Sequence, residues 1–257
     1  MRFVLYNIRY GTGIRTHNFM RSSIKNLERI TSFLNEQKPD IVGLIEVDQG
    51  SYRTGGKNQA ELLAESLGHY HSYSTKYEES SLWRNVPVLS HQGNAFLARD
   101  RIRNETFHFF KQGMKRLVME LELEHVVVYL VHLAVGARAR HHQLGALYTL
   151  LKKAQKPHIV AGDFNMLWGE REIDLFLAAS GLQNANQQRL PTYPCHKPNR
   201  HLDFILYSKG INIRDFRVPR VRFSDHLPLV MDFDVQVDEE KREEARPLPQ
   251  AEPAFHR

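Results

Sequence analysis

His158-Ile159-Val160-Ala161-Gly162-Asp163-Phe164-Asn165 is the stretch whose reading decides the fold. A short apolar run with β-branched residues has the look of a buried strand, and Gly-Asp-Phe-Asn takes the chain out of it into a loop. A helix follows near Arg171–Ser180 and is closed by Gly181. The stretch therefore places Asp163 and Asn165 where a rigid strand meets a loop, the usual position for functional groups.

Outward from this point, apolar runs and helical patterns interleave. Further strands are expected at 2–7, 40–46, 93–99, 116–123, 126–132, 202–207 and 229–235. Ile24, Leu27, Ile30 and Leu34 recur at helical spacing, with Ser22 or Ser23 available as a cap and Pro39 beyond the end. Residues 58–67 form a short helix stopped by Gly68, and 138–154 form a longer one with Leu144, Leu147, Tyr148 and Leu151 on its apolar face. No repeat of 20–50 residues is visible in the sequence. The expected organisation is one α/β domain over 1–237, then a charged tail at 238–257 with three prolines that does not join the core.

Polar residues recur where the apolar strands end. Asn7 closes the first, Glu46 the second, His132 follows Val131, and Asp163 and Asn165 follow Ala161. Asp203 opens a late strand, and Asp225-His226 precedes the last. Each alone has an ordinary explanation: Asn7 could cap a turn, Glu46 could pair with a lysine, Asp163 could cap a helix. Together they describe one convergent polar site. Hard oxygen donors without clustered cysteine favour magnesium, manganese or calcium over zinc. Hydrolysis of a phosphate ester needs an oriented water, positive charge on the developing oxyanion and a stabilised leaving oxygen. Carboxylates, an amide and a paired histidine meet those needs.

Composition sets the outer limits. With 42% hydrophobic and 25% charged residues the chain is globular in type. A lone Cys195 excludes an internal disulfide framework and a cysteine-based zinc cluster. Met1-Arg2-Phe3-Val4 enters strand-like sequence without a secretory signal pattern, and a cytoplasmic location is expected. The formal charge of +6 includes six acids and four bases in the tail, leaving +8 on the first 237 residues. That excess suits a polyanionic substrate or an anionic membrane surface.

The ordered set Asn7, Ile45-Glu46, Gly93-Asn94-Ala95, His132-Leu133, Gly162-Asp163-Phe164-Asn165, Leu202-Asp203-Phe204 and Ser224-Asp225-His226-Leu227-Pro228 resembles the endonuclease/exonuclease/phosphatase superfamily, of DNase-I-like fold. The resemblance implies a four-layered α/β sandwich, two mixed β-sheets face to face with helices outside. It implies a metal-dependent phosphoesterase in which Mg2+ (or Mn2+) is held by Glu46 with Asn7 and Asp225 nearby. Asp163 would orient or deprotonate the attacking water, and Asn165 would hold the phosphate. His226, paired with Asp203, would stabilise the transition state, and His132 would contact phosphate or the leaving oxygen. Asn94 is carried over as a substrate contact.

The run Glu46-Val47-Asp48-Gln49-Gly50-Ser51-Tyr52-Arg53, with Gln59 and Pro191-Thr192-Tyr193-Pro194, is similar to a bacterial sphingomyelinase-like and GPI-remodelling-like branch. A lipid-like or small phosphodiester is the substrate this favours; a nuclease acting on DNA or RNA is the alternative, and an inactive phosphate-binding module a third. No obligate protein partner is evident. Arg53 and Lys57 are candidates to reach substrate phosphates, against the plainer reading of an exposed basic loop. Cys195-His196 is read as no nucleophilic pair, and His141-His142 as a solvated basic face. Trp83 is read as a stacking or membrane-dipping residue, or as packing over a sheet edge.

Overall fold

Residues 1–14, 24–75 and 91–236 are described by a computed structural model, so Trp83, Ser22, Ser23 and the 238–257 tail lie outside the described residues. Among the described residues twelve strands form two six-stranded sheets. The first sheet runs β11(Ile211–Arg217), β12(Leu229–Val235), β1(Arg2–Asn7), β2(Ile41–Asp48), β4(Gln92–Ala98), β3(Tyr70–Thr75). The second runs β5(Asn104–Phe109), β6(Leu117–Glu122), β7(Val127–His132), β8(His158–Asp163), β10(Asp203–Tyr207), β9(Gln183–Asn184). In each sheet the central pair, β1–β2 or β7–β8, is parallel and the other neighbours are antiparallel. The two sheets thus repeat one topology, a duplication that no repeat in the sequence announces.

The interior strands read as continuous apolar runs because both their faces are covered. Phe3 and Leu5 of β1 point into the layer between the sheets, where they meet Val128 and Leu130 of β7, Ile159 and Ala161 of β8, and Ile205 of β10. The alternate residues Val4 and Tyr6 face α1(Ile24–Gln37) and α2(Gln59–Leu67). On the far side Val127, Tyr129, Val160 and Phe204 face α3(Ala137–Leu151) and α4(Arg171–Ser180). The layers are helix, sheet, sheet, helix, as the resemblance implies.

Helix ends follow local chemistry. Asn58 accepts from the Ala60 N–H at the start of α2, while Gly68 and Gly181 close α2 and α4 in left-handed geometry. The stripe expected on α1 is corrected at its start: Ile24 is exposed, and Phe33 joins Ile30 and Leu34 in the core. Four strands were not foreseen, namely β3, β5, β9 and β11, and all four are sheet edges. Their mixed burial, such as that of Tyr-His-Ser-Tyr-Ser-Thr in β3, hides them from a search for apolar runs.

A candidate phosphoesterase site at the end of the inter-sheet layer

The polar residues continue the inward-facing rows of their strands. In β1 the row Phe3, Leu5 ends in Asn7; in β7 Val128, Leu130 ends in His132; in β8 Ile159, Ala161 ends in Asp163. Asp203 stands at the head of the row Ile205, Tyr207 in β10. Register aligns His132 with Asp163 and Asp163 with Asp203, so three site residues form one line across the second sheet. The site is therefore the place where the layer between the sheets changes from apolar to polar.

Glu46 arrives by another route. The β2–β4 register shifts between Leu44 and Val47, and Glu46 takes φ +58 there. Such a bulge re-aims a side chain. It turns the Glu46 carboxylate towards the second sheet, with Oε1 3.9 Å from both Lys115 Nζ and His132 Nε2. Asn94 sits behind it and accepts weakly from the Glu46 N–H at 3.4 Å. Gly93 beside Asn94 admits no side chain, since a Cβ would stand 2.1 Å from the Ser74 carbonyl of β3. Gly162 is tighter still: its φ is +154 and a Cβ would lie 1.8 Å from the Val131 carbonyl.

Asp163 is the hub. Its Oδ2 is 3.3 Å from Asn7 Nδ2, 3.3 Å from His132 Nε2 and 4.0 Å from His226 Nε2. Its Oδ1 accepts from the Asn165 N–H at 2.9 Å. Asn165, at φ +53, donates one Nδ2 hydrogen to the Leu133 carbonyl at 2.8 Å, which leaves the other for a ligand. Asp203 Oδ2 accepts from His226 Nδ1 at 2.8 Å and from the Thr192 hydroxyl at 2.6 Å. Thus Asn7 and His226, from opposite ends of the chain, meet at one carboxylate.

The electrostatics separate the two histidines. Burial alone would lower His226, but the charge and hydrogen bond of Asp203, then Asp163 and Asp225, hold it up at about 10. At neutral pH it is an imidazolium. Burial, then the Lys115 charge, push His132 down to about 4, so that ring is neutral. Nε2 of His132 faces both the Lys115 ammonium and Asp163; in a neutral ring it either accepts from the one or donates to the other. Burial would raise Asp163, yet His132, His226 and Lys115 hold it below the usual carboxylate range. Burial keeps Asp203 above that range despite His226.

Three residues here were not anticipated in the site. Lys115 precedes β6 and reaches Glu46 and His132; nothing in its local sequence marks it. Arg9, on a turn after β1 with φ +47, places its Nε 3.4 Å from Asp225 and donates its N–H to Asn7 Oδ1. Thr192 lies in the Pro191-Thr192-Tyr193-Pro194 run, whose sequence marks a branch and not a site residue; Tyr193 of the same run packs its ring 4.9 Å from that of His226. Two expected substrate contacts stand differently. Asn94 is 1% exposed and supports the Glu46 bulge, while Arg53 is 7% exposed, pairs with Asp48 at 3.1 Å and lies over the Tyr10 ring. As placed, Asn94 supports the backbone of Glu46 and Arg53 is held by Asp48. Cys195 is buried, which pushes its thiol up and makes it a poor nucleophile.

Asn7, Glu46 and Asp225 offer the hard oxygens that the resemblance assigns to a divalent cation; here Asn7 Oδ1 accepts from the Arg9 N–H and Asp225 lies 3.4 Å from Arg9 Nε. The two carboxylates are 19% and 26% exposed, open enough for an ion that keeps part of its water. Asp163, Asp203 and His226 also place ligand atoms within 4.8 Å of one another. There, however, Nδ1 of His226 is already bonded to Asp203, and the imidazolium charge opposes a cation.

The fold is similar to the human Nocturnin catalytic domain, solved with bound sulfate anion, at TM-score 0.66 and 23% identity over 91% of this chain and 94% of that one. It is also similar to the 3' phosphatase NExo from Neisseria bound to product DNA hairpin, at TM-score 0.67 and 16% identity over 91% and 99%. A UPF0294 protein of Vibrio parahaemolyticus is 34% identical over 110 residues, 41% of this chain and 38% of that protein. The chain thus spans about two fifths of the length of the curated relatives it matches. The sequence profile described as "Endonuclease/Exonuclease/phosphatase family" matches residues 4–226, which takes in every residue of the Asp163 cluster, and the chain belongs to that family.

Proposed function

We propose that the protein is a divalent-metal-dependent phosphodiesterase that cleaves a phosphate ester by attack of water. The observation that carries this reading is the Asp163 carboxylate, met by Asn7 and His132 from two other strand ends and by His226 from the loop before β12. A carboxylate held below its ordinary range stays ionised at neutral pH, so it accepts hydrogen bonds only and orients water for in-line attack. The His226 imidazolium, fixed by Asp203, donates Nε2–H to a phosphate oxygen as negative charge grows there. The free Nδ2 hydrogen of Asn165 binds a second oxygen, and Lys115 with His132 supports the phosphate or the leaving oxygen from the side of the second sheet. Mg2+ or Mn2+, held by Asn7, Glu46 and Asp225, supplies Lewis-acid charge on the phosphate oxygens when bound.

The substrate class favoured is a lipid-like or small diester, in keeping with the likeness to the sphingomyelinase-like branch; the nuclease reading draws on the basic charge. No helix among the described residues is long and apolar enough to cross a membrane. The test is a panel of bis-p-nitrophenyl phosphate, plasmid DNA, sphingomyelin and phosphoinositides, with magnesium or manganese and with EDTA. Turnover of a diester that stops on chelation and returns with metal is expected. Full activity after exhaustive chelation, or none on any phosphate ester, would remove the proposal.

A further inference from the structure

Three loops beside the site carry exposed apolar side chains that the fold does not use. Met114, in the turn between β5 and β6, is 62% exposed; Val135, after β7, is 46% exposed; Trp168, after β8, is 84% exposed. Two buried side chains of α3 fasten these loops together. Gln143 donates to the Gln112 and Lys115 carbonyls at 2.9 and 2.6 Å and accepts from the Ala134 N–H at 2.8 Å. Arg140 donates to the carbonyls of Ala134, Val135 and Asn165 at 3.1, 2.7 and 3.0 Å, and pairs with Glu172 at 2.6 Å. The apolar tips are therefore held in place next to Lys115, His132 and Asn165.

Charge accompanies them. Lys111 on the first loop, Arg138 at the start of α3 and Arg171 at the start of α4 are exposed, and among the described residues none is paired with a carboxylate. A held apolar rim beside unpaired cations is the composition of a surface that meets anionic lipid. A nucleic-acid strand would use the cations but gains from ring faces on which bases stack. Of the three apolar tips only Trp168 has one. A lipid interface gains from any apolar area, thioether and isopropyl groups included.

We propose that this rim docks the protein on an anionic bilayer surface, with Trp168, Met114 and Val135 entering the headgroup region and Lys111, Arg138 and Arg171 facing lipid phosphates. It deepens the phosphodiesterase reading by presenting the Asp163 site to headgroup esters, and rests on that reading for its purpose alone.

The test is co-sedimentation in EDTA with vesicles of phosphatidylglycerol and phosphatidylcholine, and with phosphatidylcholine alone. A Trp83→Phe background leaves Trp168 as the single reporter, since the chain has two tryptophans. Expected are binding to the anionic vesicles and quenching of Trp168 by brominated acyl chains. The combined variant Met114→Ser, Val135→Ser, Trp168→Ser should weaken partition about tenfold or more, with hydrolysis of soluble bis-p-nitrophenyl phosphate unchanged. No vesicle binding, equal binding by the variant, or quenching of Trp168 by a single-stranded oligonucleotide but not by brominated lipid would overturn the docking surface. Vesicle binding by a protein inert towards every phosphate ester would keep the docking surface and remove the hydrolytic reading instead.

Discussion

Asp203 Oδ2 accepts from both His226 and Thr192, so one buried oxygen fixes the ring that donates to phosphate. Removing either end of the His226–Asp203 pair should cost turnover by roughly 10²–10³-fold, the usual scale for a lost transition-state donor. His226→Ala and Asp203→Asn together should cost far less than the product of the single losses, because the residues act as a unit. Asp203→Asn should also move the alkaline limb of the rate profile to lower pH, since the imidazolium loses its main counter-charge. Additive losses in steady-state kinetics would instead leave His226 acting alone. Glu46→Gln should abolish magnesium binding in titration calorimetry and leave the thermal unfolding of the metal-free protein nearly unchanged, because Glu46 is a bulge residue partly open to solvent and not a core group.

At the scale of strands, Gly162 decides whether β7 and β8 can close on the site. A Cβ there would strike the Val131 carbonyl at 1.8 Å, and φ +154 is open to glycine alone. Gly162→Ala should cost about 3 kcal/mol or more, as large local strain does, or prevent soluble expression. Gly145 in α3 is the contrast, with open space where its Cβ would be. Gly145→Ala should stabilise by about 0.5–1 kcal/mol through helix propensity. Urea midpoints moving in opposite directions would bear this out, and two neutral changes would contradict the packing described.

For the whole molecule, buried histidines set how stability varies with pH. His132 and His201, both lowered to about 4 chiefly by burial, stay neutral when folded, while the unfolded chain protonates them near ~6.5. Stability should therefore fall as pH drops from about 6.5 towards 4. His226, raised to about 10, stabilises fully below the unfolded value of ~6.5 and loses that contribution as pH rises through 10. Denaturation in EDTA across this range should show a maximum near pH ~6.5. The alkaline slope should disappear in His226→Gln; an alkaline slope that persists there would assign it to another group.

The eight interior strands were legible in the sequence, because apolar runs such as Phe3–Tyr6 and Val127–Val131 have no other use in a chain of this composition. So were the polar residues that end them, since a carboxylate or histidine at the close of such a run is conspicuous. The four edge strands were not, as a half-exposed strand has a loop's composition. Nor were Lys115, Arg9 and the part played by Thr192, whose local sequence carries no signal. Their importance comes from what stands opposite: Glu46 from the other sheet, Asp225 from far along the chain, Asp203 across a turn. Sequence alone determined which residues would be polar at the strand ends. Tertiary structure decided that the inward rows of two facing sheets run out at the same level, because only their packing brings the Asn7 amide within 3.3 Å of the Asp163 carboxylate.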